Sequence, residues 1–228
     1  MRRIVGILIA LTVLLGMSSA AFAAVGGYAS SPIGPAPVTE AQITAAVAAA
    51  IGQGTGGAVR PTLNNVSTVA AAALRSAFTQ AAAAGVTGTV IQLDTRQGNV
   101  VLSRVYVDFA TAARLSGTVD LSAYVSGRTV TNAVNTFETF FDNTVIAVTL
   151  GQPGAFGAYI NMAARVDLSG LNTDTLTFFV YDRDTNTFSR ITPEFRIDSA
   201  GYLHFSTPLG GDIIISDKPL TRKESISG

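Results

Sequence analysis

The spacing of apolar residues changes at Gly85, and that change limits the folds open to the chain. Before it, apolar positions recur every three or four residues. Ile43, Ala46, Val47, Ala50 and Ile51 mark one helical face, and Ala70, Leu74, Ala77, Phe78 and Ala81 mark a second. Thr39-Glu40-Ala41-Gln42 opens the first helix, because the Thr hydroxyl and the Gln side chain can each satisfy a backbone N–H left open at a helix start. Gly52 stops it, and the second helix is expected over about Ser67–Ala84, with Gly85 at its end. Beyond Gly85 the period becomes two. Thr89, Ile91 and Leu93 alternate with Val90, Gln92 and Asp94, Arg96-Gln97-Gly98-Asn99 makes a turn, and Val100–Asp108 is rich in β-branched residues, so the segment reads as a hairpin. Further strands are expected over Thr144–Leu150, Ala158–Asp167, Leu176–Tyr181, Thr187–Ile191, Tyr202–Ser206 and Asp212–Ser216, with Asn135–Asn143 as a helical turn feeding the first of them. Many short strands at this spacing predict a mainly β fold with two N-terminal helices. The architecture is a β-sandwich or partly open barrel of short antiparallel strands, with the helices packed on one end or face.

The N-terminus carries the three parts of a secretory signal in order: Arg2 and Arg3, an apolar run from Ile4 to Met17, and the small-residue exit Ala21-Phe22-Ala23. The apolar run is shorter than the roughly 20 residues of a spanning helix, which favours cleavage over a retained anchor. The arginines lack the polar lead of twin-arginine export, so general secretion is expected. The organisation read from the sequence is a signal peptide at 1–23, a Gly-, Pro- and Ser-rich leader at 24–38, an Ala-rich helical segment at 39–85, a β domain at 86–220 and a polar tail at 221–228. Cysteine is absent, so the fold must rest on burial without disulfides. Loss of Arg2 and Arg3 turns a balance of 15 basic and 15 acidic residues into a slight acidic excess. Nucleic acid, which demands clustered positive charge, is therefore not an expected partner.

The motifs that could carry chemistry are few. Gly52-Gln53-Gly54-Thr55-Gly56-Gly57 contains G-x-G-x-x-G, but it follows a helix and leads to Arg60-Pro61, so it reads as a linker and no cofactor is expected. His204, the single histidine, lies on one strand face with Tyr202 and Ser206; alone and without Cys it cannot supply a zinc ligand set, and no G-x-S-x-G elbow accompanies it. Glu40, Glu138, Glu194 and Glu224 show no sequence pairing that would mark the two carboxyl groups of a glycoside hydrolase. Asp182, Asp184 and Asn186 have the spacing that opens a calcium loop. Thr187 stands where that loop needs Gly and Pro193 where it needs a bidentate Glu, so a polar hairpin turn is the preferred reading. In Gly151-Gln152-Pro153-Gly154-Ala155-Phe156-Gly157, Phe156 is either a contact point for a partner, if the loop exposes it, or a plug at the end of the sandwich.

The stretches Gly151–Gly157, Ala163–Ile191 and Gly201–Leu220 together resemble the C-terminal β-sandwich module of large secreted and surface-layer-type proteins of Gram-positive bacteria. The resemblance covers about Thr87–Leu220 and is most specific in the last hairpin, with its Gly-Gly-Asp before an apolar strand. It implies a structural or adhesive role and brings no catalytic residues. The expectation is a secreted, noncatalytic module of the cell envelope or extracellular matrix, held at the surface, if at all, noncovalently. Its partner would be an envelope or matrix protein, or a glycan. A carbohydrate-binding module is the alternative, against which stand the absence of Trp and the scatter of the six Tyr. A hydrolase with an unrecognised site is a further alternative. Ile213-Ile214-Ile215, if at a sheet edge, would need cover from the helices or pairing with another chain, including self-association.

Overall fold

A computed structural model describes residues 36–53 and 57–223. The segment read as a signal peptide, the segment read as a leader up to residue 35, the centre of the Gly-rich run and the last five residues lie outside the described residues. The fold is mainly β, and its sheet does not close into a barrel.

Helix α1 (Glu40–Gln53) begins where the capping box places it: the Thr39 N–H donates to Gln42 Oε1 at 2.9 Å and the Gln42 N–H to Thr39 Oγ1 at 3.3 Å. Two short strands, β1 (Thr62–Asn64) and β2 (Thr68–Ala70), precede α2 (Ala71–Ala83), so the second helix starts four residues later than the expected Ser67. Its end follows the Schellman pattern, with Val86 N–H on the Ala81 carbonyl, Gly85 N–H on that of Ala82, and Gly85 at φ +79°. Hairpin β3 (Ile91–Gln97) and β4 (Val100–Val107) forms as read. Then come α3 (Phe109–Arg114), β5 (Thr118–Asp120), β6 (Ala123–Tyr124) and α4 (Arg128–Phe140). Helices α3 and α4 are additions to the two expected, and α4 replaces what was read as a single turn.

The rest is strand: β7 (Ile146–Ala164), β8 (Thr177–Asp182), β9 (Thr187–Ile191), β10 (Phe195–Ile197) and β11 (Leu203–Ser216). The main sheet has nine strands in the order β1-β3-β4-β7-β11-β8-β9, with β10 added beside β11 and β6 beside β7. Only the β1–β3 pairing within it is parallel. Strands β7 and β11 run through the whole sheet as one long antiparallel pair with register shifts at Thr207/Leu209 and Gly210/Asp212. Segment 151–157, expected as a loop, is therefore bulged strand, and four of the expected strands fuse into two. Bulges need local left-handed backbone, which Gly154 (φ +83°), Gly157 (φ +75°) and Gly211 (φ +98°) supply.

One apolar core joins the inward face of this sheet to α1 and α2, through Ile43, Leu74 and Phe78 on the helices and Ile91, Met162 and Ile213 on the strands. The boundary drawn at residue 85 thus divides a shared core, and β1, from the segment read as helical, is part of the main sheet. Ala36 pairs with Val66, and Arg222 with Phe141, so the ends of the leader and tail are also tied in. A second cluster lies on the opposite face of β8 and β11, where Val130, Ala133 and Phe137 of α4 cover Ala147, Phe179 and Ile214. This explains the three consecutive isoleucines. Asp212–Ser216 is an interior segment between β7 and β8, buried on both faces, with α4 covering Ile214 in place of the N-terminal helices.

Candidate functional site

Away from the end that α4 covers, the outward face of β4, β7, β11 and β10 forms a groove of about 570 Å³. Alternation decides what it presents. Inward residues such as Val105 and Met162 enter the core, so Tyr106, Asn161 and Ser206 face outward. Register then aligns them: Gln92 on β3 lies opposite Tyr106, Tyr106 opposite Asn161, and Asn161 opposite Ser206. Arg60 lies over the Tyr106 ring at 5.6 Å, and Asp108, Glu194 and Arg196 complete the polar rim.

His204 sits in this groove, opposite Arg196 across the β10–β11 pair. Its Nε2 is 2.8 Å from Asp198 Oδ2, and its Nδ1 is 3.3 Å from a guanidinium nitrogen of Arg196. Asp198 closes the β10–β11 turn, its other oxygen accepting the N–H groups of Ala200 (3.0 Å) and Tyr202 (2.9 Å). The hydrogen bond to His204, with help from those N–H groups, lowers the Asp198 carboxyl to about 2. The histidine and carboxylate therefore meet as in a catalytic triad, but the ring nitrogen that should face a hydroxyl faces Arg196 instead. Arginine only donates, so Nδ1 accepts and Nε2–H donates to Asp198. Both nitrogens are occupied, and Ser206, two residues along the strand and about 7 Å away, has no base. Asp108, the other carboxylate in the groove with Glu194, accepts the Thr111 N–H at 2.7 Å as the cap of α3. Neither Asp198 nor Arg196 stands out in the sequence; only the β10–β11 register brings them to His204.

The Asp182, Asp184 and Asn186 triplet is the β8–β9 turn. Asp182 Oδ1 accepts the N–H groups of Asp184 and Thr185, which hold its pKa below the ordinary value, while Asn186, at φ +54°, accepts the Tyr181 hydroxyl at 2.9 Å. The Asp182 and Asn186 side chains serve separate local bonds, and among the described residues no three His, Asp or Glu side chains converge as a metal cluster. A smaller recess of about 330 Å³ lies beside this turn. Its buried carboxylate, Asp212, is gripped by the Arg183 fork at 2.6 and 2.9 Å and by Thr149 Oγ1 at 2.8 Å.

Phe156, the candidate partner contact, is 5% exposed. It points into the core because the bulged strand turns it inward, and its ring closes over Gly210, where a Cβ would come within 2.8 Å of it. It is a plug and not a contact residue. The exposed large apolar side chains are elsewhere: Phe109 and Tyr159 are 61% and 63% accessible. Among the described residues no helix is long and apolar enough to cross a membrane. The chain matches no family model, and none of the curated proteins compared with it shows significant similarity.

Proposed function

We propose that this chain is an exported, noncatalytic module of the cell envelope or extracellular matrix that acts by contact, through the outward face of β4, β7, β11 and β10. The observation that carries this reading is the state of His204. The groove contains the chain's single histidine, and both of its ring nitrogens are held by Asp198 and Arg196. What the groove offers is fixed hydrogen-bonding side chains on a rigid sheet, which suits recognition. Export is supported by the basic, apolar and small-residue order of residues 1–23, and an envelope role by the resemblance to surface-layer-type modules.

Expression of the full chain in a Gram-positive host, followed by fractionation and intact-mass measurement, tests the export part. The expected product begins at Ala24 and lies outside the cytoplasm. A chain retained in the cytoplasm with residues 1–23 intact would overturn the proposal.

A further inference from the structure

The outward sheet face has a chemical character that narrows its ligand. Gln92, Tyr106, Asn161 and Ser206 form a row across four adjacent strands, fixed by register. Gln92 Nε2 already donates to Asp94 Oδ1 at 2.8 Å, so with strands about 4.8 Å apart the open part of the row, Tyr106 to Ser206, is a strip about 10 Å long of uncharged groups that donate and accept hydrogen bonds. Two residues before Asn161 on the same face of β7 stands Tyr159, 63% exposed, its ring free to receive an apolar surface. Charge on the groove walls cancels: Arg60 and Arg196 are matched by Asp108 and Glu194. An anionic polymer would call for clustered cations and a basic segment for clustered carboxylates, and the groove has neither excess.

From this geometry we infer that the face binds a neutral polysaccharide. A sugar chain presents hydroxyls at its edges, which the row of amide, phenol and hydroxyl groups can pair, and apolar C–H faces, which lie flat on an aromatic ring. Tyr159 is the stacking platform, and Asn161 and Ser206 are the orienting groups. The groove is open along the sheet, which suits an extended chain passing across the strands. The six tyrosines look scattered along the sequence, and the absence of Trp removes the commonest stacking residue. Folding brings Tyr106 and Tyr159 to one face beside the same groove. This inference rests on the contact-module reading and names its ligand class.

The test uses the exported chain and two sets of probes. The first is cellulose, xylan, mannan and starch as neutral polysaccharides, with polygalacturonate as the acidic control, in pull-down and affinity electrophoresis. Retention by at least one neutral polysaccharide and none by polygalacturonate is expected. Tyr159→Ala and Asn161→Ala, both at exposed positions, should each weaken that retention at least about tenfold, while Val100→Ala, at the far hairpin tip, should not. Circular dichroism and Tm confirm that each variant is folded. Unchanged binding by both variants would overturn the placement.

The second probe is isolated envelopes of the producing bacterium, oxidised with periodate, which cleaves vicinal diols, or digested with protease. Retention lost after periodate and kept after protease supports the inference. The reverse would overturn the glycan and leave a protein-binding contact module. Absence of retention on every probe would overturn both readings.

Discussion

Replacing Phe137 with Ala tests whether α4 is structural cover or a loosely attached appendage. Phe137 is fully buried, with its ring centroid 4.9 Å from that of Phe141, 5.1 Å from Phe188 and 6.2 Å from Phe179. Truncating a buried Phe costs about 3–5 kcal/mol, and the aromatic pairs lost place the site well within that range. Phe141 and Phe188 are only half-buried, so the cavity can partly collapse or admit water, which moves the expectation to the lower end, about 3 kcal/mol. In urea, with a slope of about 2 kcal/mol per molar, the unfolding midpoint should fall by about 1.5 M. Asn132→Ala, on the exposed side of the same helix, should stay within about 0.5 kcal/mol of the parent. A Phe137→Ala midpoint within about 0.3 M of the parent would refute the claim that α4 seals the second face of the β8–β11 pair.

Gly210→Ala should lower Tm by several degrees, since the added Cβ would overlap the Gln152 carbonyl oxygen and crowd the Phe156 ring, and a scanning-calorimetry Tm equal to the parent's would contradict that packing. The Asp198 carboxyl is depressed from 3.8 to about 2 in the folded chain, so its stabilisation is present above pH ~4 and is lost as pH falls through ~2. Asp198→Asn should therefore flatten the fall in Tm across that acid window, and an unaltered acid profile would remove Asp198 as its cause. Deleting residues 24–84 removes α1, α2 and β1 together and bares the helix-covered side of the main core, so the remainder should aggregate. A monomeric remainder by light scattering, as heat-stable as the parent, would show that the helices are dispensable.

The parts of the fold written in local spacing were legible. The Thr39–Gln42 box, the Gly85 stop, the β3–β4 hairpin and strand β9 all depend on residues within a few positions of one another. Helix α4 was missed because its Thr and Asn content argues against a helix. Its signal was the stripe Val130, Ala133, Phe137 and Phe141, and its threonines 131, 136 and 139 bond back to carbonyls four residues earlier. The Gly-Pro run at 151–157 reads as a loop because glycine punctuates both loops and bulges, and only pairing with β11 tells them apart. The three isoleucines suggested an edge because cover from a distant helix leaves no local trace. For the groove, His204 and Glu194 were visible as residues, whereas the row from Gln92 to Ser206 joins four strands across more than a hundred positions of sequence. Register between such strands is set by bulges and turns, so the site emerged only with the fold.

The reading of the groove as a contact surface depends on the imidazole having no free nitrogen, and that is directly measurable. The chain has a single histidine, so one ring gives the whole signal. Two-bond nitrogen–proton correlation NMR in mildly alkaline buffer reports which ring nitrogen carries the proton. The account predicts one tautomer, with the proton on Nε2 facing Asp198 and Nδ1 accepting from Arg196, and loss of the single-tautomer pattern in Asp198→Ala. A proton on Nδ1, leaving Nε2 unprotonated and able to serve a hydroxyl, would contradict the account and reopen the groove to catalysis.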